Sequence, residues 1–198
     1  MTFIRTIPPS AAEGAVHEMY DKVRAEQGHL PNWAEAFSVR PAVRAGWVAL
    51  IGSIRPNLSL RRYELATLAA ARALRSSYCS LAHGRVLADK VFDAATVTTI
   101  ASGDGSAVLE PAEVAMMAFV EKMVRNADRV TEADVAELRA QGYNDEEIFD
   151  IAATAAARCF FSKLLDALGV QADASFNELD PALREVLTVG RPVSPVST

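Results

Sequence analysis

Cys79 and His83 are the two residues whose types and spacing could do chemistry together. They lie four positions apart in the stretch RSSYCSLAHGR, residues 75–85. If this stretch is helical, residues i and i+4 lie one above the other on the same face, so the thiol and the imidazole are neighbours. The histidine could then accept the thiol proton or stabilise the thiolate as imidazolium. The same spacing also fits a small buried cysteine and a hydrogen-bonded histidine in a helical core.

The predicted position of Cys79 in its helix favours reactivity. A helix is expected over residues 78–91, which places Cys79 in the first turn. Backbone N–H groups without helical partners and the positive end of the helix dipole favour a thiolate there. The other cysteine, Cys159, lies in the apolar stretch AATAAARCFFSKLL and is expected to be an inert core residue. Two cysteines 80 positions apart outline neither a disulfide framework nor a four-ligand zinc site.

The elements that must position this pair are predicted to be helices. Capping residues, prolines and glycines divide the chain into about eight or nine of them, and no alternating strand pattern lies between them. Ser10 and Ser59 are predicted N-caps, and Gly28 is a predicted helix end. The helices are expected at residues 10–27, 33–39, 42–55, 60–77, 78–91, 93–102, 110–126, 131–142 and 144–169. The predicted fold class is therefore all-α.

The 198 residues fit a single domain. We expect an all-helical domain over residues 1–188, with an N-terminal helical layer (10–55), a core (58–172) and a C-terminal arm (173–188), followed by a mobile tail (189–198). The segment 60–77 has small and apolar residues around most of its circumference and is predicted to be buried. Because Ala-rich helices can approach closely and apolar residues are in excess, we also expect a homo-oligomer.

Charge and composition exclude several classes of function. The formal net charge is −5, and no run of Lys or Arg could neutralise phosphates, so nucleic acid is not an expected partner. The first residues lack the apolar segment of a signal peptide, and no window reaches the roughly 18 apolar residues that span a bilayer. We therefore expect a cytoplasmic protein that does not bind membranes. His17 and His29 have no partner at metal-binding spacing, and no metal or cofactor is expected.

A longer motif connects the cysteine and histidine to two further residues. Glu64, Ser76, Cys79 and His83 form E-x11-S-x2-C-x3-H. This pattern resembles the E-x11-C-x2-C-x3-H signature of the AhpD-like alkylhydroperoxidases in the carboxymuconolactone decarboxylase family. The stretches HLPNWAEAFSVRPAVRAGW and TEADVAELRAQGYNDEEIFDIAATAA resemble the N-terminal helices and the C-terminal helix pair of its uncharacterised peroxidase-related branch. The resemblance covers most of residues 25–175.

The resemblance implies an AhpD-like helical bundle that assembles into dimers, trimers or hexamers. Carried over residue by residue, Cys79 matches the peroxidatic cysteine, His83 the motif histidine and Glu64 the glutamate of a proton relay. Ser76 stands where the family has its resolving cysteine, and Tyr78 stands where the better-studied members have a second histidine. The hydroxyls of Ser76 and Tyr78 could bind a peroxide or a thiolate, although serines at a helix start are more often caps.

The serine at position 76 changes the expected chemistry. A peroxidatic thiolate becomes a sulfenic acid, which a neighbouring thiol normally captures as a disulfide. Since Ser76 cannot form that bond, the leading interpretation is a one-cysteine peroxidase that takes a small-molecule peroxide and an external thiol reductant.

Two other interpretations stay open. Glu64 and His83 could be an acid/base pair acting on a small lactone or carboxylate, as in the decarboxylase branch, with Arg72 or Arg75 binding the substrate. Alternatively, the chain could be a non-catalytic redox-sensing or oligomeric scaffold.

Glu64 poses a geometric problem. In one straight helix it would lie about 18 Å from Ser76, which is too far for a relay. The chain must therefore break near Ser76 and Ser77 and fold back, or another chain must complete the site. A buried carboxylate also needs a partner, for which the candidates are His83 through a water, Arg72 or a residue not identified from sequence.

Overall fold

The computed structural model describes residues 2–196, and their regular elements are all helical, with no strand. The α-helices in this part of the chain are α1 Gly14–Gln27, α2 Asn32–Phe37, α3 Pro41–Ile54, α4 Leu60–Ala73, α5 Ser77–Lys90, α6 Ala94–Thr99, α7 Pro111–Asn126, α8 Glu132–Ala140, α9 Asp145–Ala167 and α10 Pro181–Leu187. The all-α prediction is confirmed. None of these helices is both long and apolar enough to cross a bilayer.

Most helix boundaries follow from local capping chemistry. The Oγ of Ser59 accepts a hydrogen bond from the backbone N–H of Arg62, as its predicted role as the cap of α4 requires. Asn144 and Glu147 form a reciprocal capping box at the start of α9. Gly28 ends α1 in the left-handed conformation, with φ +75°.

Two predicted boundaries were wrong. Ser10 does not cap the first helix, because residues Pro9–Ala11 form a separate 3-10 turn and α1 begins only at Gly14, whose φ of +51° marks the break. The predicted helix over residues 60–77 ends at Ala73, since Arg75 takes the left-handed φ of +58°. A helix of L-residues cannot continue through such a residue.

Helix α4 lies at the centre of the fold. It packs against α5, α7 and α9, and every residue from Tyr63 to Ala71 is buried. Four alanines in this stretch are completely buried, and their small side chains permit the close approach of the neighbouring helices. The burial predicted for residues 60–77 is confirmed over residues 63–71, while residues 60–62 and 72–75 are exposed or half-buried.

The C-terminal segment contacts the body of the fold. The N–H of Gly190 donates to the Oγ of Ser77 at 2.7 Å, and the N–H of Ser194 donates to the carbonyl of Ala172 at 2.9 Å. Both contacts are made by the segment that was predicted to be a mobile tail (residues 189–198), and nothing in the sequence indicates them. Residues 197–198 of that predicted tail lie outside the described residues.

Candidate active site

The chain reversal between α4 and α5 creates the site. The two helices are separated by residues 74–76, and α5 packs back against α4. Cys79 is the third residue of α5 and is only 2% exposed. It therefore lies in the first helical turn, as predicted, where backbone N–H groups have no partner within the helix. The break near Ser76 that Glu64 requires exists within one chain.

The side chain of Arg158 meets Cys79 from α9. Its Nη1 lies 3.6 Å from the Sγ of Cys79, in position to donate a hydrogen bond to the sulfur. Arg158 is only 5% exposed, and its Nε has no hydrogen-bond partner among the described residues. The guanidinium also lies 5.6 Å from the ring centroids of Trp47 and Phe161. A buried cation beside a thiol favours the thiolate form electrostatically.

Sequence reasoning missed Arg158. The one available signal was its position in AATAAARCFFSKLL, where a permanent charge interrupts a run of small and apolar residues. Charged side chains are rarely fully buried unless they are paired, so a charge in a predicted core helix indicates a buried partner. Identifying Cys79 as that partner requires the tertiary structure, because the two residues are 79 positions apart.

Glu64 and His83 form a direct pair. The Oε2 of Glu64 on α4 lies 2.5 Å from the Nδ1 of His83 on α5, and the two side chains are 4% and 16% exposed. Neither a bridging water nor Arg72 is needed, since the guanidinium of Arg72 donates to the carbonyl of Val186 at 2.7 Å. When Glu64 is ionised, it accepts the proton on Nδ1 and leaves Nε2 with the lone pair of a base.

The surroundings of His83 keep its imidazole neutral. Burial lowers the pKa of His83 from its ordinary value of 6.5, the charge of Glu64 opposes this effect, and the charge of Arg158 lowers the pKa further. A neutral imidazole one helical turn from Cys79 can accept a thiol proton.

The two predicted binding hydroxyls have different surroundings. Tyr78 donates to the Oδ2 of Asp173 at 2.5 Å and accepts a long hydrogen bond, 3.4 Å, from the N–H of Trp33. Burial, together with the charge of Asp173, raises the pKa of Tyr78 well above its ordinary value. Ser76 is at the cap position of α5, but its Oγ makes no capping bond and has no partner among the described residues.

Cys79, His83, Glu64 and Tyr78 line one cavity of about 760 Å³. Aromatic side chains of α2, α3 and α9 form part of its wall. The centroids of Trp33 and Trp47 lie 6.0 and 4.9 Å from that of Phe161. Ser76 is not part of the lining, and neither are Arg72 and Arg75, the predicted substrate-binding residues of the acid/base interpretation.

Cys159 does not line this cavity. It is half-buried and, like Cys79, is a free thiol. Burial raises the pKa of Cys159, so its thiol is held in the protonated, less reactive form. Among residues 2–196, no group of three or more His, Cys, Asp or Glu side chains is arranged to hold a metal ion.

Solved structures with this fold include proteins described as peroxidase-related. An alkylhydroperoxidase AhpD core, an uncharacterized peroxidase-related protein from Ralstonia eutropha JMP134, is 21% identical, with a TM-score of 0.78 over 96% of this chain and 98% of that one. An uncharacterized peroxidase-related protein from Silicibacter sp. TM1040 is also 21% identical, with a TM-score of 0.67 over 88% of this chain and 93% of that one.

A third neighbour is a debrominase. Apo Bmp8 is 18% identical, with a TM-score of 0.66 over 92% of this chain and 94% of that one. A cysteine-to-alanine variant of the same enzyme was solved in complex with 2,3,4-tribromopyrrole. No family model and no curated protein matches the chain. The chain therefore has the AhpD-like fold, and known proteins with this fold differ in activity.

Proposed function

We propose that the protein is a thiol-dependent hydroperoxide reductase in which Cys79 is the only redox-active thiol. One observation carries the proposal: a cysteine next to a buried guanidinium and a histidine held by a glutamate line the same cavity. Such a site supplies a nucleophile, a cation that stabilises it and a base oriented by a third group. The motif resemblance and the peroxidase-related fold neighbours also support it.

The first step oxidises Cys79. His83 accepts the thiol proton, and the resulting thiolate, beside Arg158, attacks the terminal oxygen of the hydroperoxide. The S–O bond forms as the O–O bond breaks, and the departing alkoxide takes the proton from His83. The products are an alcohol and the sulfenic acid of Cys79.

The second step uses an external thiol, because Ser76 cannot act as the resolving residue. A thiolate attacks the Sγ of Cys79 and displaces hydroxide, which leaves as water after protonation. A second thiolate then attacks the mixed disulfide and returns Cys79 to its thiolate. In total, one hydroperoxide and two thiols give one alcohol, one water and one disulfide.

The test is hydroperoxide consumption by the purified protein with dithiothreitol in excess. We expect turnover that disappears in Cys79→Ser and is retained in Cys159→Ser, the matched control for the second thiol. Mass spectrometry after one equivalent of oxidant should show a trappable sulfenic acid on Cys79. Unchanged turnover in Cys79→Ser would overturn the proposal. Oxidation of Cys79 without turnover would favour a redox sensor.

A second reaction would use the same thiolate on a different substrate. The aromatic wall of the cavity and the likeness to a debrominase favour the removal of bromine from an aromatic ring. Two thiols and one aryl bromide would give the arene, hydrogen bromide and a disulfide. Bromide release from a brominated pyrrole in the presence of dithiothreitol tests this candidate, and its absence would remove it.

We also propose that copies of the chain associate. Helix α3 exposes large apolar residues that a monomer would leave in water, with Val43 and Val48 each 41% exposed and Leu50 47% exposed. Val43 and Leu50 are seven positions apart and so share one face of the helix, and an exposed apolar patch of this kind is typical of interaction surfaces. Light scattering coupled to gel filtration should give a mass above the 21.3 kDa of one chain. A monomer mass at micromolar concentration would refute association.

A further inference from the structure

The cavity is cationic although the chain is anionic. Five Arg or Lys side chains line it against three carboxylic acids, whereas the net charge of the whole chain is −5. Two of the three acids have hydrogen-bond partners in the wall, since Glu64 bonds to His83 and Asp173 accepts from Tyr78. Among the cations, Arg85 is paired with Asp89 outside the lining, and the other four form no salt bridge among the described residues. An excess of positive charge in a concave site attracts anions.

Besides Arg158, which reaches the sulfur of Cys79, Arg44 is a cation in this wall without an anionic partner. Its guanidinium lies 4.6 Å from the ring centroid of Trp33, and its buried Nε has no hydrogen-bond partner among residues 2–196. No carboxylate among these described residues forms a salt bridge with Arg44. Burial lowers the pKa of Arg44, and the more distant Glu26 only partly opposes that effect.

Stacking on Trp33 does not occupy the donors of Arg44. A guanidinium that packs on a ring through its face keeps its N–H groups, which point outward in the plane, free for a planar acceptor such as a carboxylate. Arg44 is half-buried, and even partial burial of a charge without a hydrogen-bonded partner is costly, so an anionic ligand would stabilise it better than water alone.

Aromatic contacts connect Arg44 to the reactive sulfur. Trp33, on which Arg44 stacks, makes an edge contact with Phe161. Phe161 in turn lies 5.6 Å from the guanidinium of Arg158, which reaches Cys79. A ligand that extends from Arg44 to Cys79 would therefore have its body against apolar ring surface.

The volume also exceeds what the smallest peroxide needs. A water molecule, similar in size to half of hydrogen peroxide, occupies roughly 30 Å³ in the liquid. The cavity of about 760 Å³ lies within the range of sites for organic ligands, roughly 300–1,000 Å³.

We propose that the cavity binds an organic hydroperoxide that carries a carboxylate, with Arg44 binding the carboxylate and the aromatic wall its hydrocarbon body. This inference rests on the proposed function, because it identifies the substrate class of that reaction. Cys79 then attacks the hydroperoxide at the other end of the ligand, and the product is the corresponding hydroxy acid.

Binding of the redox-inert product tests the inference without catalysis. The probes are para-carboxylated cumyl alcohol and a longer hydroxy fatty acid, each compared with its methyl ester by isothermal titration calorimetry. We expect at least one acid to bind about tenfold more tightly than its ester, as a charge-assisted bidentate pair allows. If neither acid binds more tightly than its ester, the inference is overturned. This comparison needs no variant and holds even if the protein proves not to reduce peroxides.

Arg44→Gln should remove the preference for the acid and leave the binding of the ester unchanged. The matched control is Arg40→Gln, which removes the same charge one helical turn away at an exposed position outside the cavity. A preference that survives in Arg44→Gln would overturn the assigned role of Arg44.

Kinetics with the hydroperoxides separate this inference from the proposed function. With dithiothreitol, which carries no carboxylate, kcat/KM for the preferred acid should fall about tenfold in Arg44→Gln, and kcat/KM for hydrogen peroxide should fall by much less. Loss of turnover for every substrate would contradict a role in carboxylate binding. If the wild type consumes no peroxide of any kind, the proposed function fails, and only the binding comparison decides the inference.

Discussion

The guanidinium of Arg158 lies 3.6 Å from the sulfur of Cys79, and both residues are almost completely buried. Arg158 has no carboxylate partner among the described residues, so the sulfur is its only hydrogen-bond acceptor there. A buried guanidinium is expensive to maintain unless an anion is present. The position of Arg158 is therefore better explained by stabilisation of negative charge that develops on the sulfur of Cys79 during a reaction than by a contribution of Arg158 to stability.

Arg158→Met should slow the chemistry of Cys79 without weakening the fold. A hydrogen bond to a charged group contributes about 1.5–3 kcal/mol, so alkylation of Cys79 by iodoacetamide at pH 7 should slow by roughly tenfold to a hundredfold. The thermal midpoint should stay the same or rise, because Arg158 has no carboxylate partner, and replacing such a buried charge with an apolar side chain of similar volume is often neutral or stabilising.

The control for this variant is Lys163→Met, which removes a positive charge from an exposed position on the same helix. Both variants are compared in a Cys159→Ser background, so that Cys79 is the only thiol alkylated. Equal rates in the two variants would show that the contact between Arg158 and Cys79 has no effect on reactivity.

The pH dependence of peroxide turnover should show that His83 is protonated only at low pH. Because burial lowers the pKa of His83, it stays a neutral base below pH 6.5, and the acid limb of the rate profile should have its midpoint below that value. In the unfolded chain the same histidine takes up a proton near pH 6.5. The unfolded state therefore binds more protons, and stability should fall as the pH decreases below 6.5. Proton NMR titration of His83, assigned with His83→Gln, measures the pKa directly.

Glu64→Gln should change this profile in a defined direction. The carboxylate raises the pKa of His83, so its removal should lower that pKa further and move the acid limb to lower pH. The plateau rate should also fall by at least about tenfold, since the ring loses the partner that fixes its tautomer. An acid limb that moves to higher pH, or a full plateau rate, would show that the pair does not work in this way.

Gly190→Ala should disturb the site from the C-terminal segment. A Cβ at position 190 would collide with the backbone carbonyl of Arg75, while the N–H of Gly190 bonds to Ser77. Arg75 lies between α4 and α5, and Ser77 is the first residue of α5, two positions before Cys79. We expect a loss of about 1–3 kcal/mol in the free energy of unfolding, measured with urea, because backbone cannot yield as a flexible side chain can.

Gly52→Ala is the matched control for this substitution. An added Cβ at this exposed position in α3 has no neighbour within 4 Å. The alanine should therefore stabilise the helix by up to about 1 kcal/mol. If Gly190→Ala is as stable as the wild type or more stable, the close approach of Gly190 to Arg75 has no energetic consequence.

Local signals account for the parts of the fold that could be predicted from sequence. The cap at Ser59, the helix end at Gly28 and the proximity of Cys79 to His83 each depend on residues within a few positions of one another. Such relationships follow from helix geometry alone. Ser10 shows the limit of this reasoning, since a capping residue type does not ensure that a helix begins at that position.

Relationships between distant segments could not be predicted in the same way. The need for a break between Glu64 and Cys79 was predictable from the rise of a helix, but the direct bond to His83 depends on how α5 packs against α4. The contacts of Arg158 and Gly190 depend on the packing of α9 and the C-terminal segment, which no spacing in the sequence indicates.

Tyr78→Phe distinguishes a structural from a catalytic role for the hydroxyl at position 78. That hydroxyl donates to Asp173, whose other oxygen accepts from the backbone N–H of Asn32, so the tyrosine helps to connect α5 and α2 to the segment that follows α9. Removing it leaves a buried carboxylate short of a donor, which should cost about 1–3 kcal/mol in the free energy of unfolding. The fluorescence of Trp33, whose backbone N–H donates to the same hydroxyl, should change as well.

The rate with hydrogen peroxide decides between the two roles. Because the hydroxyl is already committed to Asp173, kcat should change less than twofold at a temperature where the variant is folded. A donor to the peroxide would behave differently, since its loss would lower kcat by about tenfold or more with little effect on stability. A large fall in kcat at unchanged stability would therefore place the Tyr78 hydroxyl in the reaction and refute its assignment as a structural contact.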